Sequence, residues 1–243
     1  MRKYIVTLAI FAIAFAALAV ADTNRGDDVR HMRDAAGVLR AIQNEPDKAI
    51  PDKIMHSAKC VAIIPGEKKV AFFVGGNWGK GLVSCRETNG NWSAPLFLSM
   101  GGGSIGFQWG ATSTDVILVF RNRHGLEKQL SDKFQLGADA EGAAGPVGRD
   151  AAADTDVAMH AEVLTYSRSR GVFAGIDLKG AVLQPDESGN KAYYGSADRT
   201  AILSGGVPAP AGAEPLLKAL AADTERTVRK TTTTTETKTT TSP

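Results

Sequence analysis

Residues 70–120 read VAFFVGGNWGKGLVSCRETNGNWSAPLFLSMGGGSIGFQWGATSTDVILVF. Short apolar runs alternate here with glycine at Gly75, Gly76, Gly79, Gly81 and Gly101 to Gly103, and the tryptophans Trp78, Trp92 and Trp109 all fall inside. Glycine takes positive φ without steric cost, so this spacing predicts short strands joined by tight turns and bends. Val116 to Phe120 is an unbroken apolar run that suits a strand buried on both faces. No long helix fits within the stretch, and the rest of the chain reads as helices and further strands packed onto it. The expected fold is α+β: a single domain with a mainly antiparallel, strongly bent β-sheet or barrel-like core, N-terminal helices and a short mid-chain helix.

Upstream, Asp27 or Asp28 is placed to cap a helix running to about Gln43, with Val29, Met32, Ala36, Leu39 and Ile42 at helical spacing. That stripe suits a core-facing amphipathic helix; a membrane-surface helix with basic flanks is the alternative. Pro51 starts a second short helix to about Lys59. Cys60 to Ile64 and Val70 to Val74 are strand-like, with a turn expected at Pro65-Gly66-Glu67-Lys68. Thr88-Asn89-Gly90-Asn91 is a hairpin turn on its Asn-Gly pair. Ser104 to Trp109 and Asp115 to Phe120 read as separate strands, and Leu126 to Lys133 as the mid-chain helix. Phe134 to Thr155 is rich in small residues and reads as a packed loop. Ala161 to Ser167 and Val172 to Leu178 form a last hairpin around Ser169-Arg170-Gly171. Ala181 to Gln184 adds a strand, and one helical turn is expected within Pro185 to Tyr194.

The two ends carry different signals. Met1-Arg2-Lys3 is a basic opening, Tyr4 to Leu18 an apolar run, and Ala19-Val20-Ala21 a small-x-small cleavage pattern. Residues 1–21 are therefore read as a signal peptide; a retained anchor is the competing reading, and the run is short for a membrane span. Residues 22–204 are the folded domain. Residues 205–243 hold Pro208, Pro210, Pro215 and the threonine run Thr231 to Thr235, a Pro/Ala/Thr-rich low-complexity composition expected to be disordered, with one weak helix from Glu214 to Asp223. The expected location is exported, periplasmic or extracellular, and peripheral on a membrane.

Without Arg2 and Lys3 the basic residues equal the 26 acidic ones. Such a balance argues against nonspecific nucleic-acid binding, which needs a strongly basic face. The distribution is uneven: Val61 to Gln135 has more basic than acidic residues, and Leu136 to Ser204 the reverse. The cysteines are Cys60 and Cys85, both in strand-like runs. In an exported chain an even count suggests a disulfide, against the alternative of two buried thiols.

No catalytic set emerges. Gly102-Gly103-Ser104-Ile105-Gly106 matches a nucleophile elbow, but that motif needs a helix directly after the serine and Phe107 to Gly110 reads as strand. The overlapping glycine pattern of a dinucleotide site opens no helix either. His31, His56, His124 and His160 are scattered, with no metal-ligand spacing. Asp139, Glu141, Asp150, Asp154 and Asp156 form an acidic loop without the calcium-loop pattern. No cofactor or metal is implied.

Several runs together carry a resemblance. Lys59-Cys60-Val61-Ala62-Ile63-Ile64-Pro65, Phe73-Val74-Gly75-Gly76, Gly79-Lys80-Gly81, Trp92-Ser93-Ala94-Pro95 and Gly101 to Gly106 are five of them. Phe134 to Asp139, Ala144 to Arg149 and Tyr166 to Gly175 complete the series. The chain from about Ala35 to Gly195 resembles the SYLF domain family, in the form of an exported bacterial stand-alone member. That resemblance implies a non-catalytic module that binds phosphoinositide-like lipid and, in yeast relatives, is linked to actin. With an export signal and no partner domain, another anionic phospholipid is the expected ligand. The other class of function is a structural or protein-interaction domain of the cell envelope, its protein partner open. The candidate lipid contacts are Lys80, Arg86, Arg121, Arg123, Arg168, Arg170 and Lys179. Lys80 and Arg86 share strand parity, so one face can present both.

Overall fold

The computed structural model describes residues 26–45, 47, 49–71, 74–105, 110–122, 134–136, 142–147, 161–169, 172–175, 178, 180–195 and 198–222. The expected signal peptide, the expected helix from Leu126 to Lys133 and residues 223–243 lie outside them.

Cys60 to Ile64 forms a strand as its β-branched composition predicts, but the chain does not turn at Pro65. A single strand, β1 (Cys60–Ala71), runs through it. Its register with both neighbours shifts between Ile63 and Lys68, which marks a bulge. Proline has no N–H to give to a ladder and glycine tolerates the bend, so Pro65-Gly66 is accommodated as a bulge. Gly66 sits at φ +59°, and its N–H donates to Asp115 Oδ1 at 2.9 Å. The side chain of a neighbouring strand thus takes the place of the missing ladder partner.

Gly75, Gly76, Gly79, Gly81 and Gly101 to Gly103 also lie inside strands. β2 (Val74–Cys85) pairs antiparallel with β3 (Leu96–Ile105), with Gly76 opposite Gly103 and Trp78 opposite Gly101. Gly101 to Gly103 therefore continue β3 and do not end it. Ser104 lies in that strand, so it is on no strand-to-helix elbow. The turn predicted on Asn89-Gly90 is present: Gly90 has φ +87° and Arg86 bridges Trp92. β4 (Gly110–Phe120) completes the central four strands.

Five shorter strands extend them: β5 (Phe134–Gln135), β6 (Gly142–Ala144), β7 (Val163–Ser169), β8 (Val172–Gly175) and β9 (Val182–Pro185). The order is β5-β9-β3-β2-β1-β4-β7-β6, with β8 also on β7. β6 and β8 share the outer edge of β7. β6 takes Val163 to Thr165 in parallel, and β8 takes Tyr166 to Ser169 antiparallel. The architecture is α+β, one domain with a mixed, mostly antiparallel, strongly curled sheet forming a half-barrel.

Strand alternation divides the core in two. One face carries Val61, Ile63, Leu82, Ile117, Val119, Leu164 and Tyr166, and helices cover it. The other carries Cys60, Ala62, Ile64, Val83, Leu98, Val116, Leu118 and Phe120, joined by Phe134, Leu183, Ile202 and Leu203. Helix α1 spans 26–43, and Met32, Ala36, Leu39 and Ile42 of its stripe are buried in the first cluster. The stripe is core, and the membrane-surface alternative has no apolar face left to insert. Asp27 and Asp28 lie within the helix. Helix α2 (Asp52–Ser57) follows Pro51. Helices α3 (Glu187–Tyr194) and α4 (Arg199–Leu203) start at Asp186 and Asp198, whose side chains accept from Gly189 N and Thr200 N. Within the described residues no helix is long and apolar enough to cross a membrane.

The folded region does not stop at Ser204. A 3₁₀ turn (Ala211–Ala213) leads into helix α5 over 214–222, where Ala213, Leu216, Ala219 and Leu220 are buried with α1. Gln43 Nε2 donates to Ala219 O at 3.0 Å. The helix expected from Glu214 forms, over 214–222, and the ordered fold extends past Ser204 to include it. The three prolines precede or open the helix, and the leucines behind them recur at its period and find α1 to pack on.

Candidate functional site

The candidate cations separate to opposite ends of the sheet. Leu82, Ile63, Ile117 and Tyr166 form one row across β2, β1, β4 and β7 on the helix-covered face. One step further along that face stand Lys80, Asp115 and Arg168, with the Pro65-Gly66 bulge filling the place on β1. Lys80 and Arg168 are therefore three strand spacings apart, roughly 14 Å. Arg86 shares their parity but lies six residues from Lys80, roughly 20 Å along β2, with buried Leu82 and Ser84 between. Arg121 follows β4 at Arg86's end of the sheet. Arg123, Arg170 and Lys179 lie outside the described residues.

Each described cation has partners. Lys80 Nζ lies 2.7 Å from Asp186 Oδ2, and its side chain is 57% exposed. Arg168 Nη1 lies 3.6 Å from Asp115 Oδ2. Arg86 is committed to the fold. Its guanidinium donates to Ala58 O, Gly90 O and Met55 O at 3.3–3.4 Å. It also stacks 4.5 Å from the centre of the Trp92 ring. The shared parity with Lys80 places it under α2, whose last carbonyls it caps. Arg121 N donates to Glu162 O at 2.9 Å, which closes β4 against β7.

Acids set the electrostatics around Lys80. Burial alone would raise the Asp186 carboxyl, but hydrogen bonds from Lys80, Ser188 and Gly189, with the Lys80 charge, outweigh it and hold the group below its ordinary value. Asp28 of α1 is buried, and its Oδ2 has no hydrogen-bond partner. Desolvation raises its pKa, against the nearby Lys80 and His31 and with Asp186 and Asp27. The sequence reading missed Asp28, Asp115 and Asp186 as partners. Asp186 carried a local signal as an N-cap residue before a helical run, and Asp28 one that suggested a cap and not a partner for Lys80.

Cys60 and Cys85, opposite each other in the β1–β2 register, are joined by a disulfide with Cα atoms 3.9 Å apart. Among the described residues no group of three or more His, Cys, Asp or Glu side chains could hold a metal ion. Among the described residues the arrangement offers paired surface charges on one face of the sheet.

Residues 101–223 match the Ysc84 family, described as "Las17-binding protein actin regulator". The chain is 34% identical over 201 residues to the "SH3 domain-containing YSC84-like protein 1" of Rattus norvegicus, an alignment covering 80% of this chain and 59% of that protein. The Homo sapiens protein of the same name is 33% identical over 201 residues, covering 80% and 58%. "Protein YSC84" of Saccharomyces cerevisiae is 32% identical over 198 residues, covering 77% and 42%. The aligned region spans less than two thirds of the length of each of these relatives.

Proposed function

The chain belongs to the Ysc84, or SYLF, family, and on that premise we propose that it is a non-catalytic module binding anionic phospholipid surfaces through the end of the sheet that carries Lys80 and Arg168. The observation that carries this reading is their placement in one row of one face, at the end where β1 to β4 run on past the Pro65-Gly66 bulge. β1 continues there through Lys68 and Lys69. Lys80 and Arg168 face carboxylates, but ion pairs at least partly open to water hold each other by no more than about 1 kcal/mol. A phosphate-rich surface competes on those terms, at about 1 kcal/mol for each cation brought near it. Arg86 and Arg121 do not belong to this surface. Export, with residues 1–21 as the leader, is part of the same proposal.

Sedimentation with anionic and neutral vesicles tests it. Binding should be confined to anionic vesicles and weaken with salt. Lys80→Ala with Arg168→Ala should reduce affinity about 30-fold, the loss of two such contacts. Equal binding to both vesicle types, or to neither, removes the lipid reading. A second reading then stands, that of a protein-interaction domain, and the description of the matched family as Las17-binding actin regulators favours it.

A further inference from the structure

Asp28 stands in the first turn of α1, where a carboxylate suits the helix dipole and is usually left in water. Here the residue is only 8% exposed, and its Oδ2 meets no hydrogen-bond donor. Burying an ionised carboxylate without a donor is unfavourable, and taking up a proton removes most of that cost. Charged groups act on it from three elements. Lys80 of β2 acts most strongly, then Asp186 at the start of α3, then His31 and Asp27 of α1 itself. Arg30 Nη2 is turned to Asp27 Oδ1, 2.8 Å away.

Two carboxyl groups therefore bear on Lys80, and they titrate apart. Desolvation, the largest influence on Asp28, keeps its proton on to higher pH than an ordinary carboxyl. Asp186 is held low against its own burial by hydrogen bonds from Lys80, Ser188 and Gly189. As pH falls, Asp28 is neutralised first, and one of the two negative charges acting on Lys80 disappears. Asp186 remains, 2.7 Å from an ammonium whose side chain is 57% exposed. We infer that Asp28 regulates the Lys80 surface: ionised, it holds the ammonium back from an anionic headgroup and repels that headgroup, and neutral, it does neither. The surface then binds anionic lipid more tightly as the medium turns acid. This inference rests on the lipid reading given above and adds its regulation.

The test titrates the full chain with phosphatidylglycerol vesicles, whose phosphodiester stays ionised, at fixed salt from about pH 7 to about pH 4.5. Asp28→Asn imposes the neutral form. At neutral pH it should bind about fivefold more tightly than the parent, the worth of one charge near such a surface. The two affinities should converge in acid. A His31→Gln background, which lacks the nearby imidazole, should show the same convergence. Near-ultraviolet circular dichroism shows whether the variants keep the fold. Without lipid, carbon-13 NMR should find the Asp28 carboxyl protonating above the ordinary carboxylate value and Asp186 below it. Equal affinities of parent and Asp28→Asn at neutral pH, or a difference that persists in acid, would overturn the inference and leave anionic binding in place. An Asp28 carboxyl that titrates at or below the ordinary value would overturn it whatever the vesicles show. No binding by either protein at any pH would remove the lipid reading, and this regulation with it.

Discussion

Asn190 holds Phe97 as a neighbouring strand would. Phe97 N donates to Asn190 Oδ1 at 2.9 Å, and Asn190 Nδ2 donates back to Phe97 O at 2.9 Å. The β9 ladder on β3 ends at Pro185 opposite Leu98; beyond it Asp186 N still donates to Phe97 O at 2.9 Å, and the amide of α3 supplies the acceptor for Phe97 N. Both groups are buried.

Asn190→Ala should therefore strand a buried N–H and lower stability by about 2 kcal/mol. In a domain of this size that corresponds to a fall in Tm of roughly 4–8 °C. Thermal unfolding of the purified variant checks it; an unchanged Tm would show that water replaces the amide without loss.

The disulfide closes a loop over a sequence separation of 25 residues. In the chain-entropy account this is worth about 3.5 kcal/mol. Replacing both cysteines by alanine should shift the denaturant midpoint down accordingly, with the slope changed only through the denatured state. Equal midpoints would mean that β1 and β2 are held by their ladder alone.

Asp28 and Asp186 should respond to pH with opposite sign. Burial makes the folded Asp28 carboxyl hold its proton more tightly than the unfolded one. Its ionisation therefore costs the folded state as pH rises above the ordinary carboxylate value of about 4. Asp28→Asn should stabilise the protein at neutral pH, and the gain should vanish below that value. The folded Asp186 carboxyl is held low, so its contribution is present at neutral pH and is lost as pH falls through its folded pKa. Asp186→Asn should destabilise at neutral pH only. Urea midpoints measured across the acid range separate the two.

Gly145 has no room for a methyl group. A Cβ there would lie 2.1 Å from Cζ of Tyr166, a fully buried ring. Gly145 N also donates to Thr165 O at 3.1 Å beside β6, which fixes the backbone in place. Gly145→Ala should cost about 1–3 kcal/mol as an overpacked core, read as lower Tm and reduced soluble yield.

How far the sequence could be read depended on whether the signal was local. The α1 stripe, the Asn89-Gly90 turn and the apolar run Val116 to Phe120 each depend on neighbours in sequence, and each forms as expected. Pro65-Gly66 and Gly101 to Gly103 look like turns because their own conformational preferences are turn-like. What keeps them in strands is remote: Asp115 answers the Gly66 N–H, and Gly76 lies opposite Gly103. The parallel pairing of β6 with β7 has no local signature at all. The cations showed the same limit. Parity correctly put Lys80 and Arg86 on one face, but which part of that face lies under α2 is a fact of packing, and it turns Arg86 into a structural residue.

The bond from Gln43 to the carbonyl of Ala219 bears on synthesis as well as stability. α1 leaves the ribosome among the first described residues, and the helix that covers part of it is among the last. Domains emerge from their N-terminal side at a finite rate, and contacts between distant positions form late. The part of α1 that meets α5 must wait uncovered until that helix is made, and a chain arrested before α5 would carry that part exposed. Closure of this domain over α1 thus reports that translation has reached the last described helix.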